Sequence, residues 1–349
     1  MKTEIVKISP LDSDYQIKIN RAADIIKSGG LVIFPTETVY GLGADATNPD
    51  AAKSIFQAKG RPSDNPLIIH ISSPSDAEKY TVTCPIYYKL AERFMPGPLT
   101  VILESKSSVP KETRAGLSTV AVRCPENKIS RSLISASGVP IAAPSANLSG
   151  TPSPTSAKHA IDDMMGRVNM ILDGGECEFG LESTIVKIEN DGGLTLLRPG
   201  RITLEELKTV ADKVNIADAV VNSLKEGEAV LSPGMKYRHY APSSPLELLD
   251  GEANKVIKYI KDESILRVAV IAYDEDVEFF KKELSFAKVY PFGKKTDERL
   301  QAHVLFSLLR EIDKENFEKI YAPLPQKNGV GLALYNRMIR AAAHTIIKL

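Results

Sequence analysis

Apolar and polar positions along the chain switch between a period of two and a helical period, which predicts strands and helices in alternation. The run over 31–34 reads as a buried strand that stops at Pro35, followed by a hydroxyl-rich turn with Thr36, Glu37, Thr38 and Tyr40. Gly41 and Gly43 then permit positive φ or close approach of another molecule to the backbone. Asn48-Pro49 predicts an N-cap with proline at the first helical position, and that helix runs to Lys59 with Gly60 as its C-cap. A second apolar run over 67–71 carries His70. Upstream, Ser13-x-x-Gln16 has the form of a capping box ahead of a helix whose Ile17, Ala22, Ile25 and Ile26 share a face.

Downstream, helices are expected to start at 75–78 and to cover 86–95, 129–136 and 156–165, with strands over 99–103, 119–123, 139–143, 169–172, 183–188 and 194–198. Thr203 to Glu206 forms a second capping box. Periodicity is lost over 212–245 and returns with strands at 246–249, 267–273, 289–292 and 319–323. Helices at 252–261, 275–284, 296–312 and 330–347 separate and follow them. The reading is therefore α/β throughout: a first domain over 1–211, a linker over 212–245, and a small domain over 246–349 with a mainly parallel sheet.

Composition narrows the function classes. At 349 residues and 43% hydrophobic content, two packed cores are expected. Lys plus Arg and Asp plus Glu balance at 44 each, so any polyphosphate or nucleic-acid site must come from local clustering. Cys84, Cys124 and Cys177 make no CxxC and no metal-ligand spacing, which suggests a reducing compartment. With no signal-like start and no apolar run near the ~20 residues a bilayer requires, a cytoplasmic protein without a membrane is expected. GxxxxGK[ST], a complete GxGxxG, HExxH and GxSxG are all absent; Gly329-Val330-Gly331 lacks the third glycine of a dinucleotide fingerprint.

Candidate chemistry sits at loop ends of the first domain: Thr36, Lys59, Arg61, Ser63 and His70, then Thr119, Arg123, Ser145, Asn147, Ser183 and Arg198. Each has a bland reading. A strand histidine is more often a satisfied core residue, and Lys59 at a helix end is favoured by the helix dipole whatever else it does. Together the cations suit phosphates and carboxylates, while the hydroxyls and amides supply neutral orienting bonds. Lys236, Tyr237, Arg238, His239 and Tyr240, consecutive within the linker, form a cation–aromatic cluster suited to phosphates or a base.

The segments PTETVYGLG, KGRPSDNPL, PSAN, ESTIV and LRPG resemble the YrdC-like domain. Joined to SPGMKYRHYAP, a trailing small α/β domain and the ending GVGLALYNRMIRAAAH, they are similar to the two-domain, Sua-type threonylcarbamoyl-AMP synthases. The resemblance implies a twisted sheet with a concave active-site face and a smaller, Rossmann-like C-terminal domain. It implies that L-threonine, bicarbonate or CO2, and ATP with Mg2+ give threonylcarbamoyl-adenylate and pyrophosphate, with no protein metal site. A separate tRNA threonylcarbamoyl transferase would receive the product to modify the adenosine beside the anticodon, and weak tRNA binding is a further expectation.

On the same pattern Thr36, His70, Arg123, Ala143 and Ser183 would hold threonine, with Arg123 on its carboxylate. Lys59, Ser63, Asn65, Thr119, Ser145, Asn147, Ser153 and Arg198 would hold ATP, with Lys59 and Arg61 nearest the phosphates as the catalytic pair. Tyr237, Arg238 and Tyr240 would cover the nucleotide as a lid. Two other readings stand beside this one. An RNA-binding, translation-associated module predicts salt-sensitive RNA affinity and no threonine requirement. A carbamoyl transferase for another acceptor needs an acylphosphatase-like or zinc-finger region, and no CxxC occurs here.

Overall fold

The structure, a computed structural model, describes residues 1–222 and 240–349. The N-terminal sheet contains β1 (Glu4–Lys7), β2 (Val32–Phe34), β3 (Gly41–Asp45), β4 (Ile68–His70), β5 (Thr81–Val82) and β6 (Leu99–Ser105). It continues with β7 (Thr119–Arg123), β8 (Ile141–Ala142), β9 (Met170–Asp173), β10 (Thr184–Ile188), β11 (Leu194–Arg198) and β12 (Val214–Ile216). Their order is β1-β9-β2-β3-β8-β4-β7-β6-β10-β11-β12, with β5 paired to β6. Parallel and antiparallel pairs mix, so strands distant in sequence become neighbours.

Helices cover this sheet in two sets. α1 (Tyr15–Lys27) and α5 (Lys128–Ser137) pack Ile19, Ile26 and Leu133 on Val32 and Phe34. α2 (Pro49–Lys59), α4 (Pro85–Phe94) and α6 (Ala157–Met164) bury the opposite face, with Leu31 and Ile33 turned toward them; α3 (Ala77–Tyr80) adds Ala77. The start of α2 is as the sequence predicts: Asn48 Oδ1 accepts from the amides of Asp50 and Ala51, and Gly60 closes the helix in the left-handed region at φ 63°. The short α7 (Leu204–Leu207) carries the capping box expected at Thr203–Glu206.

Several expectations are corrected. The capping box at Ser13–Gln16 does not form, because α1 starts after Asp14, which makes no side-chain cap bond. Gly41 and Gly43 lie within β3 rather than in a positive-φ turn; Gly43 is there because a Cβ would stand 2.6 Å from the Phe34 ring and 2.8 Å from Ile141. The stretch over 212–222 is not featureless, since β12 adds parallel to β11 and extends the first sheet.

The second sheet is wholly parallel in the order β15-β14-β16-β13-β17, from β13 (Leu246–Asp250), β14 (Val268–Ala272), β15 (Lys288–Pro291), β16 (Lys319–Pro323) and β17 (Ile346–Lys348). α8 (Ala253–Asp262) and α9 (Val277–Glu283) cover one face, while α10 (Glu298–Asp313) and α11 (Gly331–Ala341) cover the other. The helix expected over 330–347 is shorter: it ends at Ala341, and the chain pairs as β17 beside β13.

Every residue of α11 is buried, because the helix lies between the two domains. Leu332 joins the N-terminal core, and Val39 and Leu181 join the C-terminal one. Asn336 Nδ2 and Arg340 Nη2 donate to the carbonyls of Val220 and Ala219 at 2.7 and 2.6 Å. Gly180, at φ 86°, leaves space for the α10 backbone, since a Cβ would stand 2.5 Å from the carbonyl oxygen of His303.

Candidate active site

Strand alternation places the chemistry. Ile69, Val120 and Val122 point into the core under α2 and α4, so Ile68 and His70 on β4, and Ala121 and Arg123 on β7, point to the other face. β4 and β7 are parallel and in register, with His70 opposite Arg123. There the sheet opens into a cleft.

Ten predicted residues line this cleft. Thr36, His70, Arg123 and Ala143 come from the threonine set. Lys59, Arg61, Ser145, Asn147, Arg198 and Tyr240 come from the nucleotide set. Thr36 is fixed by its own turn, donating to Val39 O at 2.7 Å and accepting from the amides of Thr38 and Val39. Burial, then the Arg123 charge, lowers the His70 pKa to about 3, so the ring is neutral at physiological pH. Arg123 is not an isolated cation: its Nη2 donates to Glu37 Oε1 at 2.5 Å and to Thr38 Oγ1 at 2.9 Å. Its Nε is buried without a partner among the described residues, leaving donor capacity beside the cleft.

Lys59 is 3% exposed, and its ammonium donates to the backbone carbonyls of Ser145 (2.5 Å) and Asn147 (2.7 Å). Burial, then the Arg61 charge, pushes its pKa well below the ordinary lysine value. The lysine thus ties the end of α2 to the PSAN loop as well as supplying charge. Asn147 Nδ2 braces that loop from inside, donating to Leu148 O and Thr151 O. Arg61 reaches back to Asn65 O at 3.2 Å and lies against the Phe56 ring. Arg198 Nε and Nη2 donate to Ser183 O and Oγ; burial lowers its pKa to about 10, which still leaves it charged.

Five predicted residues lie outside the lining. Ser183 is buried behind Arg198 and shares a bond with Thr100. Ser153 is buried and hydrogen-bonds Glu182. Asn65 is buried with neither amide atom partnered among the described residues. Ser63 is exposed, and Thr119 is four residues down β7 from Arg123, about 13 Å by strand rise. Lys236, Tyr237, Arg238 and His239 lie outside the described residues. Tyr240 is described: it stacks on Phe306 of α10 with centroids 5.0 Å apart, and Ala241 N donates to Gly150 O.

Sequence reasoning missed Glu37, Glu182 and the second domain's share in the site. Glu182 precedes Ser183 within ESTIV, so its position was visible although its partner was not. Glu182 Oε2 accepts from Arg337 Nε at 2.9 Å, and Arg337 is fully buried. Arg310 of α10 donates to Pro152 O and to both carboxylate oxygens of Asp163. Asp163 in turn accepts from Leu148 N and Thr151 Oγ1, so the second domain braces the PSAN loop. Arg337 lies within the ending GVGLALYNRMIRAAAH, but nothing in that segment shows that it reaches the first domain, and no sequence signal marks Arg310.

Known proteins match the whole chain. A family model described as "Telomere recombination" matches residues 24–200, and one described as "Threonylcarbamoyl-AMP synthase, C-terminal domain" matches residues 202–343. The chain is 42% identical over 356 residues to the threonylcarbamoyl-AMP synthase of Pyrococcus abyssi, covering 99% of each chain. It is 41% identical to that of Bacillus subtilis, covering 95% of this chain and 94% of the relative. The structure of P. abyssi Sua5 complexed with L-threonine superposes with a TM-score of 0.87 at 41% identity, covering 100% of both chains. On its two domain matches and these full-length relatives, the chain belongs to the Sua5 family of threonylcarbamoyl-AMP synthases.

Proposed function

We propose that this protein makes L-threonylcarbamoyl-adenylate from L-threonine, bicarbonate or CO2, and ATP. The observation that carries the reading is one cleft with two chemistries. Arg123, neutral His70 and Thr36 form an amino-acid corner, and Lys59, Arg61 and Arg198 form a cationic wall. The neutral threonine amine attacks the carbon of CO2 or bicarbonate and gives a carbamate; the CO2 route releases a proton to solvent, and the bicarbonate route releases water. A carbamate oxygen then attacks the α-phosphorus of ATP, the bond to the β-phosphate bridge breaks, and pyrophosphate leaves.

Both reacting partners are anions, so the site's task is to offset their repulsion and hold them in line. Arg123 is assigned to the threonine carboxylate, and Lys59 and Arg61 to the phosphates. Mg2+ is assigned to the nucleotide. Among the described residues no group of three or more His, Cys, Asp or Glu is placed to hold a metal. Glu182, the carboxylate of the lining, already bonds Ser153 and Arg337. The ion would ride on the ATP phosphates, as Mg2+ commonly does.

The product would pass to a separate transferase that acts on tRNA next to the anticodon, which places the protein in the cytoplasm; no helix of the described residues is long and apolar enough to cross a membrane. The test is pyrophosphate release from ATP and Mg2+ with threonine and bicarbonate each present or omitted. Release that requires both supports the reading. Release with neither indicates an ATPase, and no turnover alongside salt-sensitive RNA binding indicates the RNA-binding alternative.

A further inference from the structure

Glu182 poses an electrostatic problem. It lines a cleft whose other charged residues, Lys59, Arg61, Arg123 and Arg198, suit an anionic ligand, and a bare carboxylate there would repel one. The C-terminal domain supplies its counter-charge. Arg337 Nε meets Glu182 Oε2 at 2.9 Å, while Arg337 Nη1 donates to Pro199 O at 2.9 Å and Asn336 Oδ1 at 2.8 Å. The guanidinium is 0% exposed and therefore fixed from both domains: Pro199 belongs to the first, and Asn336 bonds across to Val220 O. The other groups acting on Glu182 are Arg198 of β11, the Ser153 hydroxyl, and more distantly Lys59 and the Tyr240 ring. Burial would raise the Glu182 pKa, but the Arg337 and Arg198 charges outweigh it and hold the carboxyl below its ordinary range.

We propose that Arg337 is a positioning residue for nucleotide binding: from the C-terminal domain it neutralises and orients Glu182, so that this carboxylate does not repel ATP from the cationic cleft. The proposal rests on the adenylation reading for the identity of the anion. It gives the second domain a definite task, because the first domain alone would present Glu182 with Arg198 as its remaining close counter-charge.

The test measures binding of a non-hydrolysable ATP analogue with Mg2+, and separately of threonine, by calorimetry on the full chain. Arg337→Met should weaken analogue binding on the order of tenfold, within the usual range for coupling between two separate positions, and should change threonine binding by less than about twofold. The defect should shrink as pH falls, because the unpaired Glu182 then takes a proton. Glu182→Gln combined with Arg337→Met removes both charges and should return analogue affinity to within about threefold of the unaltered protein at every pH. Arg337→Lys, which keeps the charge, should lie between the two. An Arg337→Met protein that binds the analogue normally overturns the proposal, as does a folded double variant no tighter than the single one. If Arg337→Met fails to fold, the double variant decides: near-normal affinity supports charge compensation, and a tenfold deficit rejects it. Because the readout is binding, these outcomes hold even if pyrophosphate release by the unaltered protein does not need threonine, which would count against the adenylation reading alone.

Discussion

Arg123 and Glu37 form an ion pair at 2.5 Å with both side chains almost wholly buried. Glu37 is itself anchored, since its other oxygen accepts from the amides of Glu126 and Asn127 at 3.1 and 3.4 Å. The carboxylate therefore fixes the guanidinium at the end of β7 and leaves its remaining donors for a ligand carboxylate. Arg123→Ala should raise the threonine KM by about tenfold or more and leave the ATP KM much closer to normal. It should also lower stability by about 3–5 kcal/mol, because Glu37 becomes an unpaired buried charge. Pyrophosphate-release rates against threonine, with thermal unfolding, check both; an unchanged threonine KM removes Arg123 from the carboxylate.

His70 gives a pH prediction. Its pKa falls from 6.5 to about 3 on folding, so between those values the unfolded chain binds a proton that the folded chain refuses. Stability should therefore be full above pH 6.5 and decline as pH falls toward 3, by up to about 1.4 kcal/mol per pH unit. His159, lowered to about 4 mainly by burial, adds to the same slope. Thermal melts across this range should show a shallower decline for His70→Gln. An identical slope would mean that His70 is not buried neutral.

Lys59 and Arg61 should separate. Lys59→Met leaves the carbonyls of Ser145 and Asn147 without their donor, at about 1–3 kcal/mol for each buried group so orphaned, and it should lower both stability and ATP affinity. Arg61 is only partly buried, so Arg61→Ala should lower ATP affinity with little change in the melting temperature. Melting curves and ATP titrations run together test this, and a large stability loss in the Arg61 variant would contradict it.

Gly180→Ala tests the domain contact. The added Cβ meets the α10 backbone at His303, and the position has φ 86°, so relief requires α10 to move away. A loss of about 1–3 kcal/mol is expected, together with a rise in the ATP KM, because α10 also carries Arg310 and its hold on Asp163. A stable variant with a normal KM would show that domain packing does not tune the site.

Legibility followed the range of the interactions. Asn48-Pro49 and Gly60 predict the bounds of α2 because capping involves residues within one turn, and TVAVR predicts β7 because alternation is a property of the strand itself. Ser13 failed as a cap because its neighbour Asp14 occupies that place, a choice that the box motif alone does not make.

By itself the sequence determined the α/β alternation, the division into two domains and, through PTETVYGLG, KGRP and PSAN, about half of the cleft-lining set. Only the tertiary structure decided that Gly43 serves a ring in another strand, and that Arg123 is held by Glu37 and Glu182 by Arg337. Those pairs are 86 and 155 residues apart in the chain. No local propensity links such partners; sheet order and domain packing bring them together, and burial then makes their charges depend on each other.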